Sequence, residues 1–220
     1  MAPVRILNPY EPDREDIHEA IRVLKQGGLV VYPTETFYAL GADVLNEGAL
    51  ASLFATKGRG FHQPIALIGG SEEDVRLIAE AISEEARRLM TAFWPGPLTL
   101  LFAASHAVSP RLTAGTGKIG IRISSHPVAR ALARTLGRPL TATSANLSGT
   151  GACNTVAEVM DQLGRHNLLF LDGGRTPGGM GSTILDVTVK PARIVRAGAM
   201  DRSTIEPIVS LAPDEIQDRA

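Results

Sequence analysis

Apolar positions along the chain alternate between two periods. Over residues 13–27, Ile17, Ile21 and Leu24 recur at three- and four-residue spacing behind acidic residues, with Lys25 in the last turn and Gly27 beyond it, which predicts a helix. LVVY at 29–32 predicts a strand ended by Pro33. Leu50, Leu53 and Phe54 predict a helix over 47–56, and 64–68 a strand followed by a helix capped by Ser71, with Asp74 three residues on. Further helices are predicted over 83–93, 126–136 and 155–163, and a short closing one over 201–211 despite Pro207. Strands are predicted over 98–103, 118–124, 168–171, 184–189 and 192–197. In 118–124, Ile119, Ile121 and Ile123 alternate with Lys118, Gly120 and Arg122, the period of a half-buried strand with Arg122 on its polar face. Helices interleaved with strands predict an α/β protein, a mixed open sheet flanked by helices.

The polar stretches fall at the ends of these elements. In GRPLTATSANLSGT at 137–150, Thr143, Ser144, Asn146 and Ser148 crowd behind a brief apolar run, a composition that suits a side-chain-capped turn or a polar ligand. Thr34, Glu35 and Thr36 stand where a strand gives way to a loop, the edge at which open α/β sheets bind ligands. Lys57 and Arg59 enter a loop and read as solvated surface or as part of a site. The glycine-rich run 173–181 can form a loose hairpin or turn backbone amides toward an anion. WPGP at 94–97 reads as a rigid structural turn, and His126 as a helix-start residue.

Composition narrows the chemistry. With 220 residues, 44% of them hydrophobic, and no repeat or linker, a single domain over 1–220 is expected, its core at about 13–209 and a frayed tail at 211–220. Lys plus Arg number 22 against 23 acidic residues, a net charge of -1 that argues against a protein built mainly to grip nucleic acid. The single cysteine, Cys153, excludes an internal disulfide and fits a reducing compartment as an inert thiol. No segment approaches the roughly 20 apolar residues that span a bilayer, so a cytoplasmic protein without membrane partners is expected. None of the five histidines stands four residues from another, and no Cys/His cluster exists, which disfavours a zinc site. Ser144 lacks the glycines of a hydrolase elbow. GTGK at 115–118 fails as a phosphate loop because Leu112 occupies the first glycine position and Ile119 follows the lysine. There remain Thr34, Lys57 with Arg59, Arg122, Ser144 with Asn146, and Ser182 with Arg196. Cations and neutral hydrogen-bonders at strand ends, without a nucleophile, point to a site for phosphates and a carboxylate that works by positioning and by neutralising charge.

PTETFYALG at 33–41, KGR at 57–59, WPGPLTL at 94–100, GIRIS at 120–124, SANLSG at 144–149 and GSTILD at 181–186 together resemble the YrdC/TsaC family of L-threonylcarbamoyladenylate synthases, over about residues 13–209. The resemblance implies a twisted open α/β sheet around a concave basic cavity. It implies an enzyme that converts ATP, bicarbonate and L-threonine to threonylcarbamoyl-AMP and pyrophosphate, the product passing to a separate transferase complex that modifies tRNA. By the family's motifs, Lys57, Arg59, Ser144 and Asn146 grip the nucleotide and carry catalysis, with Gln63, Thr116 and Arg196 also at ATP. Thr34, Arg122 and Ser182 match threonine-binding positions, Arg122 taking the carboxylate. Mg²⁺ is expected to be held by phosphates and water, with no protein cage. Three positions depart from the pattern: Ile68 replaces a threonine-contacting histidine, Ala39 a glycine and Gly60 a proline. These departures leave room for a paralogue of the YciO kind. A noncatalytic RNA-binding module is the alternative from another class, against which stand the neutral charge and the 5% aromatic content, while a weak tRNA contact stays compatible with both.

Overall fold

The computed structural model describes residues 3–165 and 167–213. In chain order the elements are β1 (Val4–Ile6), α1 (Arg14–Lys25), β2 (Leu29–Pro33), β3 (Tyr38–Gly41), α2 (Glu47–Lys57), β4 (Leu67–Ile68), α3 (Glu72–Ile78), α4 (Glu84–Phe93), β5 (Leu98–Ala103), α5 (Pro110–Thr113), β6 (Lys118–Arg122), α6 (Pro127–Leu136), β7 (Leu140–Thr141), β8 (Thr143–Ser144), α7 (Val156–Leu163), β9 (Leu168–Asp172), β10 (Thr183–Asp186), β11 (Arg193–Arg196) and α8 (Arg202–Ile205). The α/β class holds, and the strands divide between two mixed sheets, β1-β9-β2-β3-β8 and β11-β10-β5-β6-β4-β7.

The continuous apolar run of β2 has a packing reason. Leu29 and Val31, with Leu168 and Phe170 of β9, face one core shared with the second sheet, while Val30 and Tyr32, with Leu169 and Leu171, face α1 and α6. A strand covered on both faces loses the alternation of a half-exposed one. The same explains why β6 departs from its half-buried expectation. It lies between β5 and β4, Gly120 and Arg122 are buried with the isoleucines, and a Cβ at Gly120 would come within 3.0 Å of Leu101 and 3.1 Å of Thr99.

The two sheets meet through one short segment. Residues 140–141 pair with β4 in the second sheet, and 143–144 pair with β3 in the first. Between them the Thr141 hydroxyl accepts from Ala42 N–H (2.8 Å) and donates to the Leu40 carbonyl (3.0 Å), and the Thr141 carbonyl accepts from the Tyr32 hydroxyl (2.8 Å). This crossing is why one sheet became two: Ala142 turns its N–H to the Ala66 carbonyl (2.8 Å), and the chain changes partners there.

Other boundaries shift for local reasons. Asp13, Asn46, Ser83 and Thr155 cap α1, α2, α4 and α7, and His126 caps α6 by accepting from Val128 N–H (3.2 Å). Ser71 makes no side-chain cap; instead Asp74 accepts the Gly70 N–H (2.6 Å). The expected strand 64–68 keeps only Leu67–Ile68. The predicted helix 201–211 stops at Ile205, and Ala192 pairs with Ser210 and Ala212, so the start of the expected frayed tail is tied down. The rest of that tail, 214–220, lies outside the described residues, as does His166. No helix among the described residues is long and apolar enough to cross a membrane.

Thr141→Val keeps shape and burial but strips the shared hydroxyl from two buried backbone groups, so chemical denaturation should show a loss of about 2 kcal/mol. An unchanged unfolding midpoint would mean that the hydroxyl does not couple the sheets.

Candidate active site

At the carboxyl end of β2 the ends of both sheets enclose a cavity of about 440 Å³, lined by Thr34, Arg59, Arg122, Ser144, Ser182 and Arg196, with Thr36, Tyr38, Thr143 and Met180 between them. Six side chains named from the sequence thus share one hollow. A larger cavity, about 1040 Å³, opens at the other end of β2 and β9, but its polar wall is mostly glycine, serine and threonine beside Gln26, Arg165 and Asn167. Of these two, the first gathers three arginines, whereas the second has the one.

Lys57 shapes this hollow from behind. Leu50, Leu53, Phe54 and Lys57 stand at i, i+3, i+4 and i+7 of α2, so helical periodicity turns the lysine inward with the apolar stripe, and it is 1% exposed. The solvated-loop alternative for Lys57 is therefore wrong. Its ammonium donates to the carbonyls of Ser144 and Asn146 (2.7 Å to the latter) and lies 3.4 Å from Asn146 Oδ1. Asn146 is buried too; its Oδ1 also accepts from the Ser144 hydroxyl, and its Nδ2 donates to the Leu147 (2.9 Å) and Thr150 (2.8 Å) carbonyls. Neither Lys57 nor Asn146 lines the cavity. Burial, with Arg59 adding repulsion, pushes the Lys57 pKa from 10.5 down to about 8.

Gly58 ends α2 in a left-handed conformation, φ 56°, and turns Arg59 toward the cavity. Arg59 donates to the Pro64 carbonyl (2.8 Å) and reaches Thr143 Oγ1 (3.4 Å), and its buried Nε has no protein partner. Arg196 donates to the Ser182 carbonyl (2.7 Å) and hydroxyl (3.2 Å), and a Cβ at Gly181 would stand 3.2 Å from its Nη2. Among the described residues neither arginine pairs with a carboxylate. Arg122 does: its Nε meets Glu35 Oε1 at 2.9 Å, and Ser124 donates to Glu35 Oε2. Burial alone would raise the Glu35 carboxyl, but Arg122 and Ser124 outweigh it and hold it below the ordinary value. Thr34 donates to the Phe37 carbonyl (2.7 Å), and Ser182 shares a hydrogen bond with Thr99 (2.8 Å).

Some expected contributors lie elsewhere. Gln63 is exposed beside Pro64 at the rim, and Thr116, also exposed, donates to Thr113 beyond the end of β6 opposite Arg122. Ile68 is buried in the apolar cluster with α6 and does not line the cavity, so this position contributes no polar group to the lining. Lys118 pairs with Asp186 (2.7 Å), away from any phosphate-loop role. The glycine-rich run forms no hairpin; Gly173 N–H reaches the Tyr38 hydroxyl (3.1 Å), Gly178 N–H the Thr36 carbonyl (2.7 Å), and the run ends as the cavity wall at Met180 to Ser182. The sequence reading flags Glu35, Thr36 and Thr143 as polar positions at element ends without assigning them to the site, and it misses Tyr38, which PTETFYALG also holds. Cys153 is buried, and burial raises its thiol pKa. No group of three His, Cys, Asp or Glu among the described residues is placed to hold a metal ion.

The Sua5/YciO/YrdC family model, described as telomere recombination, matches residues 22–198, and the chain belongs to that family. The threonylcarbamoyl-AMP synthase of Pyrococcus abyssi (strain GE5 / Orsay) is 36% identical over 205 residues, 93% of this chain and 60% of that protein. A putative threonylcarbamoyl-AMP synthase of Mycobacterium tuberculosis (strain CDC 1551 / Oshkosh) is 34% identical over 195 residues, 89% of each chain. The crystal structure of P. abyssi Sua5 complexed with L-threonine superposes with a TM-score of 0.90 at 32% identity, covering 96% of this chain and 62% of that one. The chain thus spans about three fifths of the Pyrococcus protein's length and nine tenths of the mycobacterial one's.

Between about pH 8 and the ordinary lysine value the unfolded chain holds a proton that the native Lys57 has lost, so this group's contribution to stability rises with pH there. The unfolding free energy of the wild type relative to Lys57→Met should therefore climb from about pH 7.5 to pH 10. A flat difference would place the titration of Lys57 at its ordinary value.

Proposed function

We propose that this chain is an L-threonylcarbamoyladenylate synthase. The supporting observation is the charge of the cavity: three guanidinium groups converge with hydroxyls at strand ends, Arg122 alone is paired with a carboxylate behind the wall, and among the described residues the other two arginines have no acidic partner. Unpaired guanidiniums in a partly dry hollow favour a polyanion. The names of the relatives and the threonine-bound Sua5 structure support ATP and L-threonine as the occupants.

In this reaction the threonine amine attacks the carbon of bicarbonate and water leaves, forming a carbamate. A carbamate oxygen then attacks the α-phosphorus, the α–β P–O bond breaks, and pyrophosphate departs with the electron pair. Arg59 and Arg196 neutralise charge growing on the phosphates, and Ser144 with the loop held by Lys57 and Asn146 orients them. Arg122 clamps the threonine carboxylate, with Thr34 and Ser182 nearby. Gln63 at the rim, and Thr116 farther off, keep a nucleotide role only if the adenosine extends past the cavity.

Among the described residues the carboxylate at Arg122, that of Glu35, is engaged by Arg122 and Ser124, and no group of three His, Cys, Asp or Glu stands ready to cage Mg²⁺. A divalent ion belongs with the triphosphate and supplies charge neutralisation there. The product would pass in the cytoplasm to the transferase complex that modifies tRNA.

Purified protein should release pyrophosphate only when ATP, bicarbonate and L-threonine are all present, and RNA alone should bind weakly and lose affinity with salt. Release without threonine would assign a different acceptor, as for a YciO-like paralogue. Arg59→Ala should lower kcat/KM for ATP about a hundredfold, whereas Arg122→Lys should chiefly raise the KM for threonine, since a point charge does not replace a planar fork. If Arg122→Lys weakens ATP and spares threonine, that arginine serves the phosphates.

A further inference from the structure

Two different anions must share this cavity without exchanging places, and its three arginines are not equivalent. Arg59 and Arg196 meet only neutral oxygens, while Arg122 gives its Nε–H to Glu35 at 2.9 Å and has no other hydrogen-bond partner among the described residues. Glu35 is fixed from its far side by the Ser124 hydroxyl, whose oxygen also accepts the His126 N–H at 3.1 Å. Arg122 is buried and Glu35 largely so, with side-chain exposures of 7% and 13%. Glu35 borders a second cavity of about 410 Å³ that shares Thr36 and Met180 with the first, so the pair stands in the wall between them. Bound through Nε, the guanidinium keeps its two terminal nitrogens for a ligand, while its net charge is cancelled. A polyanion gains most from uncompensated cations; a single carboxylate needs two parallel donors in a fixed plane.

We propose that Glu35 is a positioning and specificity residue that cancels the charge of Arg122, holds its plane, and so reserves it for the amino-acid carboxylate while the phosphates stay on Arg59 and Arg196. The assignment rests on the synthase function proposed above. In Glu35→Gln, Arg122 becomes a third uncompensated cation with a looser plane.

Threonine KM, calorimetric affinity for a non-hydrolysable ATP analogue without threonine, and the pattern of pyrophosphate inhibition are to be measured for wild type, Glu35→Gln and Ser124→Ala. In Glu35→Gln the threonine KM should rise about tenfold or more, the analogue should bind as tightly or tighter, and pyrophosphate should become competitive with threonine. Ser124→Ala should move threonine KM the same way by less, and it decides the matter if Glu35→Gln does not fold. An unchanged threonine KM, or equal loss of threonine and nucleotide binding in a folded variant, overturns the proposal. If wild type releases pyrophosphate without threonine, the synthase function fails instead; analogue affinity then still tests the charge partition, tighter binding in Glu35→Gln supporting it and weaker binding overturning it.

Discussion

A lysine ammonium carried out of water must be surrounded by oxygen, and at Lys57 the oxygens come from backbone. Its last-turn place on the buried stripe of α2 drives the charge inward, and the carbonyls of Ser144 and Asn146 close over it. The 144–148 segment is thereby bent around a point charge. Ala145 N–H ties it to the Tyr38 carbonyl (2.8 Å) and Ser148 N–H to the Lys57 carbonyl (2.9 Å). Ser144 is left on the cavity wall in one orientation, which makes Lys57 the support of the site rather than its surface.

Around that support, opposite demands are met by charge placement. Arg59 and Arg196 rest on neutral oxygens and keep their charge for a ligand, whereas Arg122 is neutralised by Glu35. In the proposed synthase reaction both reacting groups belong to the substrates, so a site organised this way would need no nucleophile from the protein. Its work is to bring them together and to offset the charge that moves between them.

The sheet handover at Thr141 gives the cavity its shape. Because residues 140–144 change sheets within a few positions, the ends of β2, β6 and β8 point into one hollow while β10 and β11 bring Ser182 and Arg196 from the other side. The same crossing brings Thr143 within reach of Arg59. Both sheets contribute to the lining, Thr34 and Ser144 from the first and Arg122 and Arg196 from the second.

Local chemistry made much of this legible in the chain itself. Helices α1, α4, α6 and α7 follow their apolar spacing and caps, and the strands around residues 30, 100, 120 and 170 follow apolar runs, because such periodicity reports which side of an element is dry. Thr34, Arg59, Arg122, Ser144, Ser182 and Arg196 could be picked out as polar groups at element ends. Short elements such as β1, β3 and α5 escaped, since too few residues carry a period there. What remained for the tertiary structure was every partnership: that Lys57 serves the backbone, that Glu35 takes Arg122, and that the strands form two sheets. A side chain's type and spacing determine what it is able to do, but which charge it meets depends on segments more than 80 residues away, and only packing brings those within 3 Å.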